Sequence, residues 1–511
     1  MRLLKALEKH VPSAQVLIGE SPAQALLADP AEEFWHRLDL EKTETICVYG
    51  VSGAFYALAR EWLDEAAKRR LVFVEESAEA LAALLEHEDA ILLLNDARVK
   101  IHFLETPLQV GLIAKKIAWA AVLRELRIVL LRPGLWGEAF EKELIRCHAA
   151  AHLILSDVSD YGISLLRNFQ ANSRKPLRSG LGLKGTFRNV PAVIVGAGPS
   201  LEKNGHLLSE FRKKGLILAG GSALNAIAQE PHFAASVDKE APYRQFKMHP
   251  FSETPFCCQS RMSAENYSLI HGPALLFPDG NAPWINWING QEEGFETGWT
   301  VGNFLTAFAV FLGCNPIVLV GMDLCYENER KYARIEAQPP EGLVQALDAR
   351  GEPVWTQRDW LMAARWTEEF AARHPETRFI NATEGGLGFS SPVDSLTLSS
   401  ILGTLQEAPD LRKRVFEAIE AAPSIDSCRW DEWKASLVRC QKVLKKYDPE
   451  KIEGEIAFRK LLEPLWQIWK PVFERELELD RQPLAAEEKI KLNQALFFEQ
   501  VLEEHLHELR S

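Results

Sequence analysis

The sequence predicts an α/β protein: two Rossmann-like parallel-sheet domains followed by an all-helical carboxy-terminal region. Three observations carry this. Short apolar runs of strand length alternate with helical patterns from residue 46 to about 175, a rhythm that builds parallel sheets covered on both faces. The same rhythm restarts at Val190. From about residue 405 the strand-like runs stop, and Glu- and Lys-rich helical periodicity continues to Ser511, punctuated by Pro423, Pro449, Pro464, Pro471 and Pro483. With 511 residues and roughly 150 per domain, the expected division is 1–175, 190–400 and 405–511.

In the first domain, Ile46–Gly50, Leu71–Glu75, Ala90–Leu94 and Ile128–Leu131 read as buried strands. Gly50, Gly53 and Glu75 stand where a dinucleotide fold keeps its turn glycines and ribose acid, but the third glycine is missing. A scaffold with a tight turn fits better than a nucleotide site. His148 and His152 share a helix face without a carboxylate motif and read as core or solvated histidines. Residues 173–189 are basic, rich in glycine and without apolar period, and read as a linker.

The second domain opens on Ala192-Val-Ile-Val-Gly196-Ala-Gly198-Pro199-Ser200-Leu201, a buried strand turning through two glycines into a helix. Glycine lets a ligand approach the backbone, and a helix N-terminus attracts an anion, so a phosphate-bearing ligand is expected here. Leu201 replaces the third glycine of the NAD fingerprint. Two further strands end at Gly220-Gly221-Ser222 and at Asp238, as a crevice at strand C-termini requires. Thr300-Val301-Gly302-Asn303 opens an apolar helix, and the strand Ile317–Val320 runs into Gly321-Met-Asp323. Asp323 is placed for a ribose, a metal or a proton. Trp284 and Trp287, interleaved with Asn281, Asn286 and Asn289, suit either sugar stacking or a loop packed by its tryptophans. In the last region, Trp430/Trp433 and Trp466/Trp469 are i,i+3 pairs expected to pack.

Composition excludes other classes. The net charge is −13, whereas coating a nucleic-acid backbone needs cations, so no nucleic-acid partner is expected. The eight cysteines form no CxxC and no zinc spacing, which suits free buried thiols in a reducing cytoplasm and no structural metal. The most apolar stretch, Phe304–Leu324, is interrupted by Gly313, Asn315 and Pro316, so no transmembrane segment is expected.

Gly-Ala-Gly-Pro-Ser-Leu, Ser-Val-Asp, Thr-Val-Gly-Asn, Leu-Val-Gly-Met-Asp and the stretch Phe379-Ile-Asn381-Ala-Thr-Glu384-Gly-Gly386, in this order, resemble the motility-associated factor (Maf) family of flagellin glycosyltransferases. The similarity covers about residues 190–395. The same core resembles bacterial sialyltransferases that use CMP-activated nonulosonic acids and, more distantly, the MptE-like hydroxymethylpterin diphosphokinases. The resemblance implies a cytoplasmic, metal-independent enzyme with no cofactor beyond its CMP-linked sugar donor and a protein Ser/Thr acceptor, flagellin in the family. It implies that Gly196, Gly198, Pro199 and Ser200 lie beside the donor phosphate. Ser222, Asp238, Thr300, Val301, Gly302, Asn303 and Gly321 would contact the donor, and Tyr326 and Tyr332 would hold its phosphate. The sialyltransferases carry a histidine base after these tyrosines, but no histidine occurs here between Tyr326 and His374, and His374 reads as structural. A carboxylate, Asp238, Asp323, Asp359 or Glu384, is left as base. The alternatives are an MptE-like diphosphotransferase using ATP and Mg²⁺, and a non-catalytic, chaperone-like nucleotide-sugar binder. The helical region would serve packing, oligomerisation or acceptor docking.

Overall fold

A computed structural model describes residues 2–20, 30–238, 253–326, 343–445, 449–477 and 483–510. The chain forms two compact units, residues 1–157 with 466–494, and residues 158–465 with 495–511. The carboxy-terminal region is helical, as expected, but its helices are divided between the two units.

The first unit is built on four parallel strands, β1 (Thr45–Tyr49), β2 (Arg70–Glu75), β3 (Val99–Phe103) and β4 (Leu126–Leu130), in the order β3-β2-β1-β4. Side chains alternate across the sheet. Ile46, Val48, Leu71 and Phe73 enter one core, while Cys47, Tyr49, Val72 and Val74 enter the other. Ala90–Leu94, expected as a strand, lies in the helix Ala90–Asn95. The third strand is instead Val-Lys-Ile-His-Phe, whose polar residues hide it from a search for apolar runs.

The second unit carries nine parallel strands, β5 (Leu177–Ser179), β6 (Ala192–Val195), β7 (Leu216–Gly220), β8 (Phe233–Ser236), β9 (Phe256–Gln259), β10 (Ala274–Phe277), β11 (Ile317–Val320), β14 (Phe379–Asn381) and β15 (Asp394–Ser395). An antiparallel hairpin, β12 (Val344–Leu347) and β13 (Pro353–Thr356), is inserted after β11. The sheet order is β15-β14-β11-β6-β7-β8-β9-β10-β5. Residues 173–189 are therefore not a bare linker. Leu177–Ser179 forms the edge strand beside β10, and Arg178 donates to the carbonyls of Glu420 and Ala422.

Both faces of this sheet are covered. Ile194 and Leu218 pack against Phe304 and Phe308 of the helix Val301–Phe311 and against Val415 of the helix Leu411–Ala421. Val193, Ile217 and Ala219 pack against Leu208, Phe211 and Ile401. Near-continuous Val, Ile and Leu runs form the central strands because neither face meets water. The winding reverses at β6: β7 lies on one side and β11, far later in the chain, on the other. Open parallel sheets place their crevice at such a reversal, outside the strand C-termini.

Candidate functional site

The turns that leave β6 and β11 lace together at this reversal. Gly196 N–H donates to Val320 O at 2.8 Å, and Gly198 N–H donates to Gly321 O at 2.9 Å. The contact is so close that a Cβ on Gly198 would lie 1.9 Å from Asp323 Oδ2. Gly321 adopts φ +66°, a left-handed conformation that glycine adopts without steric cost. Asp323 is 1% exposed, its Oδ2 accepting Ser200 Oγ–H at 2.6 Å and its Oδ1 the Ser200 N–H at 3.1 Å. Its carboxylate thus holds the glycine loop by both oxygens.

Above these turns lies a cavity of about 330 Å³. Gly196, Gly198, Ser222, Asp238, Thr300, Val301, Gly302, Gly321 and Asp323 line it, joined by Trp299, Gln357, Asp359 and Trp360. Pro199 and Ser200 sit behind the loop rather than on the cavity wall, and Ser200 is fully buried. Tyr326 lies one layer back, its hydroxyl accepting Gln357 Nε2–H at 2.7 Å and its ring 5.2 Å from Trp360. Tyr332 falls outside the described residues.

The anion-attracting end of the site differs from the one the motif suggests. In the glycine loop the N–H groups of Gly196, Gly198 and Ser200 all donate within the protein. In the first turn of the 11-residue helix Val301–Phe311, Thr300 Oγ1 caps the Asn303 N–H, while the N–H groups of Val301 and Gly302 have no hydrogen-bond partner among the described residues. That helix end supplies the unfilled donors and the positive pole of the helix dipole.

Asn303, expected against the donor, is instead a buried clamp. Its Oδ1 accepts from Trp299 N and Thr300 Oγ1, and its Nδ2 donates to Ala363 O at 3.1 Å and Thr367 Oγ1 at 3.0 Å. This fixes the helix Arg358–Arg373, and with it Asp359 and Trp360, beside the cavity. Glu384 does not line the cavity. Its Oε1 accepts from Asn204 Nδ2 and from Leu398 N, which ties the turn after β14 to two helices.

Several other sequence candidates are packing elements. Trp284 stacks on Trp433 at 5.2 Å and is buried, so its face is not open to a sugar. His374 caps its helix, Nδ1 lying 2.8 Å from Phe370 O. Trp466 is buried. His148 and His152 contact each other through Nε2 at 3.2 Å. Among the described residues no group of three or more His, Cys, Asp or Glu is placed to hold a metal ion. None of the described helices is long and apolar enough to cross a membrane. Seven cysteines are buried and free; only Cys428 is exposed.

In the first unit the corresponding turn after β1 is filled by the protein itself. Glu75 Oε2 accepts the Val51 N–H at 2.9 Å, and Oε1 accepts from Glu76 N and Ser77 N. Burial pushes this carboxyl upward against the three N–H bonds that favour its charged form. The scaffold reading of Gly50 and Gly53 agrees with this geometry.

The strand order and cavity together define a doubly wound α/β domain, with its crevice at the β6/β11 reversal. Residues 164–329 match the family described as 6-hydroxymethylpterin diphosphokinase MptE-like. Across the whole chain, the fold is that of a solved MAf glycosyltransferase from Magnetospirillum magneticum AMB-1, with a TM-score of 0.52 and 16% identity. The match covers 99% of this chain and 87% of that one. No curated protein sequence matches the chain. The two likenesses expected from the motifs, an MptE-like central domain and a Maf-type fold, are thus both found.

Proposed function

We propose that the chain is a glycosyltransferase that moves a nonulosonic sugar from a CMP-activated donor to a Ser or Thr hydroxyl of a protein, flagellin being the acceptor that the resemblance suggests. The observation that carries this reading is the composition of the 330 Å³ cavity: unfilled helix N–H groups at Val301 and Gly302, the rings of Trp299 and Trp360, and carboxylates at its rim. The helix end suits the donor phosphate, and the tryptophan faces suit a base or a sugar ring. In the transfer, the acceptor oxygen bonds to the anomeric carbon as the bond from that carbon to the phosphate oxygen breaks. CMP leaves with its negative charge stabilised by the N–H groups. The hydroxyl proton passes to Asp238 or Asp359, both on the cavity wall. Asp323 is the positioning residue of this scheme, since Ser200 takes both of its oxygens.

One observation favours a second reading. Asp238, Asp323 and Asp359 line the cavity, and among the described lining residues there is neither Lys nor Arg. A nucleotide triphosphate bound with Mg²⁺ would bring the positive charge that such walls lack, as diphosphate transfer to a pterin requires. Calorimetry with CMP, CTP and ATP, with and without Mg²⁺, separates the readings. CMP binding that is indifferent to Mg²⁺ supports glycosyl transfer. ATP binding that appears only with Mg²⁺ moves the assignment to diphosphotransfer, and binding of none of the three defeats both.

A further inference from the structure

A second cavity lies at the other end of the same sheet, beside the amino-terminal ends of β7 and β8. It encloses about 520 Å³, and Arg212, Lys213, His232, Asp410 and Arg412 are among its walls. His232 is 4% exposed. Its Nδ1 accepts the Ile217 N–H at 2.9 Å, so in the neutral ring the proton sits on Nε2. Burial, then the guanidinium groups of Arg212 and Arg412, push this imidazole down to about 3, which keeps it neutral. The residue lines the cavity and carries one N–H donor, at Nε2, with no partner among the described residues.

Two further features converge there. The helix Leu411–Ala421, 11 residues long, begins at the cavity. Asp410 precedes it in a left-handed conformation, φ 56°, and makes no side-chain cap bond. Arg212 and Arg412 both donate to the one carboxylate of Glu230, Arg412 at 2.8 Å and Arg212 at 3.3 Å. Burial lowers the Arg212 guanidinium below its usual range, with Glu230 opposing that shift and Arg412 adding to it. Two cations thus share one anion, and each planar guanidinium has more N–H groups than that carboxylate can take. Glu407 and Asp410 are exposed on the same walls, so selectivity rests on directed N–H groups rather than on net charge.

We infer that this cavity is a second ligand site, one that takes a phosphate group through the His232 Nε2–H, the Arg412 guanidinium and the open first turn of the Leu411–Ala421 helix. It is independent of the proposed transferase chemistry, because it shares no wall with the cavity at the β6/β11 reversal. The phosphate is either free or the monoester of a nucleotide.

The test is equilibrium dialysis of the full chain against labelled inorganic phosphate, in a Gly198→Val background that is expected to impair the first cavity. One phosphate per chain is expected to bind. Arg412→Gln, an exposed position, should weaken it at least tenfold. His232→Asn keeps an acceptor for the Ile217 N–H and withdraws the donor from the Nε2 position, its own amide NH₂ lying nearer the backbone, and it should do the same. Displacement by CMP in this background identifies a nucleotide monoester as the source, and its failure identifies free phosphate; both support the site. Phosphate binding that ignores Arg412→Gln, or that is absent from the Gly198→Val chain, overturns the inference. Should His232→Asn fail to fold, Arg412→Gln decides alone.

Discussion

Gly198 and Asp323 occupy one another's space: the carboxylate of Asp323 stands where any side chain on residue 198 would begin. The glycine is therefore required by contact rather than by a positive φ, which residue 198 does not adopt. Its N–H is spent on Gly321 O.

Gly198→Val should push Asp323 off Ser200 and tilt the floor of the cavity. Overpacking of this kind costs roughly 1–3 kcal/mol of stability. CMP affinity is expected to fall at least tenfold by calorimetry. Ser52→Ala is the control: Ser52 Oγ caps the Phe55 N–H in the first unit, so that variant loses about 1 kcal/mol of stability and no affinity. A folded Gly198→Val protein with parental CMP affinity would remove this loop from the site.

Ser200→Ala takes from the buried Asp323 carboxylate one of the two hydrogen bonds that Ser200 gives it. Hydrogen bonds to charged groups contribute about 1.5–3 kcal/mol, and the urea midpoint should fall accordingly. An unchanged midpoint would mean that Asp323 does not depend on Ser200.

Trp360→Ala removes an aromatic wall of the cavity and the ring beside Tyr326. If the base or sugar stacks there, ligand affinity drops by about 1–3 kcal/mol, and Trp360→Phe restores most of it. Equal affinities for all three proteins would leave Trp360 with a packing role alone.

The acid limb of stability should carry a mark of His232. Its folded-state value is about 3, and its unfolded value is near 6.5. Between these the unfolded chain binds the extra proton, so stability is full above pH 6.5 and declines as pH falls towards 3. From pH 7 to 5 the loss from this one residue is roughly 1–2 kcal/mol. His102, pushed down to about 4 by burial and then by Lys116 and Lys100, adds a loss of the same sign. Urea titrations at pH 7, 6 and 5 should show a shallower decline in His232→Asn; parallel curves would contradict the assignment.

What the sequence reveals about the fold follows from how local each signal is. β6, β7 and β11 are legible because each is an apolar run ended by glycine at the sheet edge. β3 is obscured by Lys100 and His102, and Ala90–Leu94 has strand-like apolarity but folds as helix. β9 and β10, four residues each like β6 and β11, lack the glycine that ends those strands, running instead into Ser260 and Pro278. In the site, the glycines and Asp323 can be found from their motifs. Asp359 is legible only as one candidate carboxylate among four, and Trp360 not at all, because their helix reaches the cavity through Asn303 bonding Ala363 and Thr367 across more than fifty residues of chain. The occupied N–H groups of the glycine loop are equally hidden, since their acceptors Val320 and Gly321 lie more than 120 residues further along the chain.

The pairing of β6 with β11 also sets an order of events on the ribosome. β6 through β10 can assemble from neighbours as they emerge, since each pairs with the next in the chain. β11 must instead insert beside β6 after some 120 residues of further synthesis, a non-local closure of the kind that slows folding. Until it does, the Gly198 N–H has no Gly321 carbonyl and Ser200 has no Asp323. A nascent chain arrested before residue 317 would thus display the glycine motif intact, yet without the strand that makes it a binding surface. The floor of the cavity is thus completed late and in one step, when β11 pairs with β6.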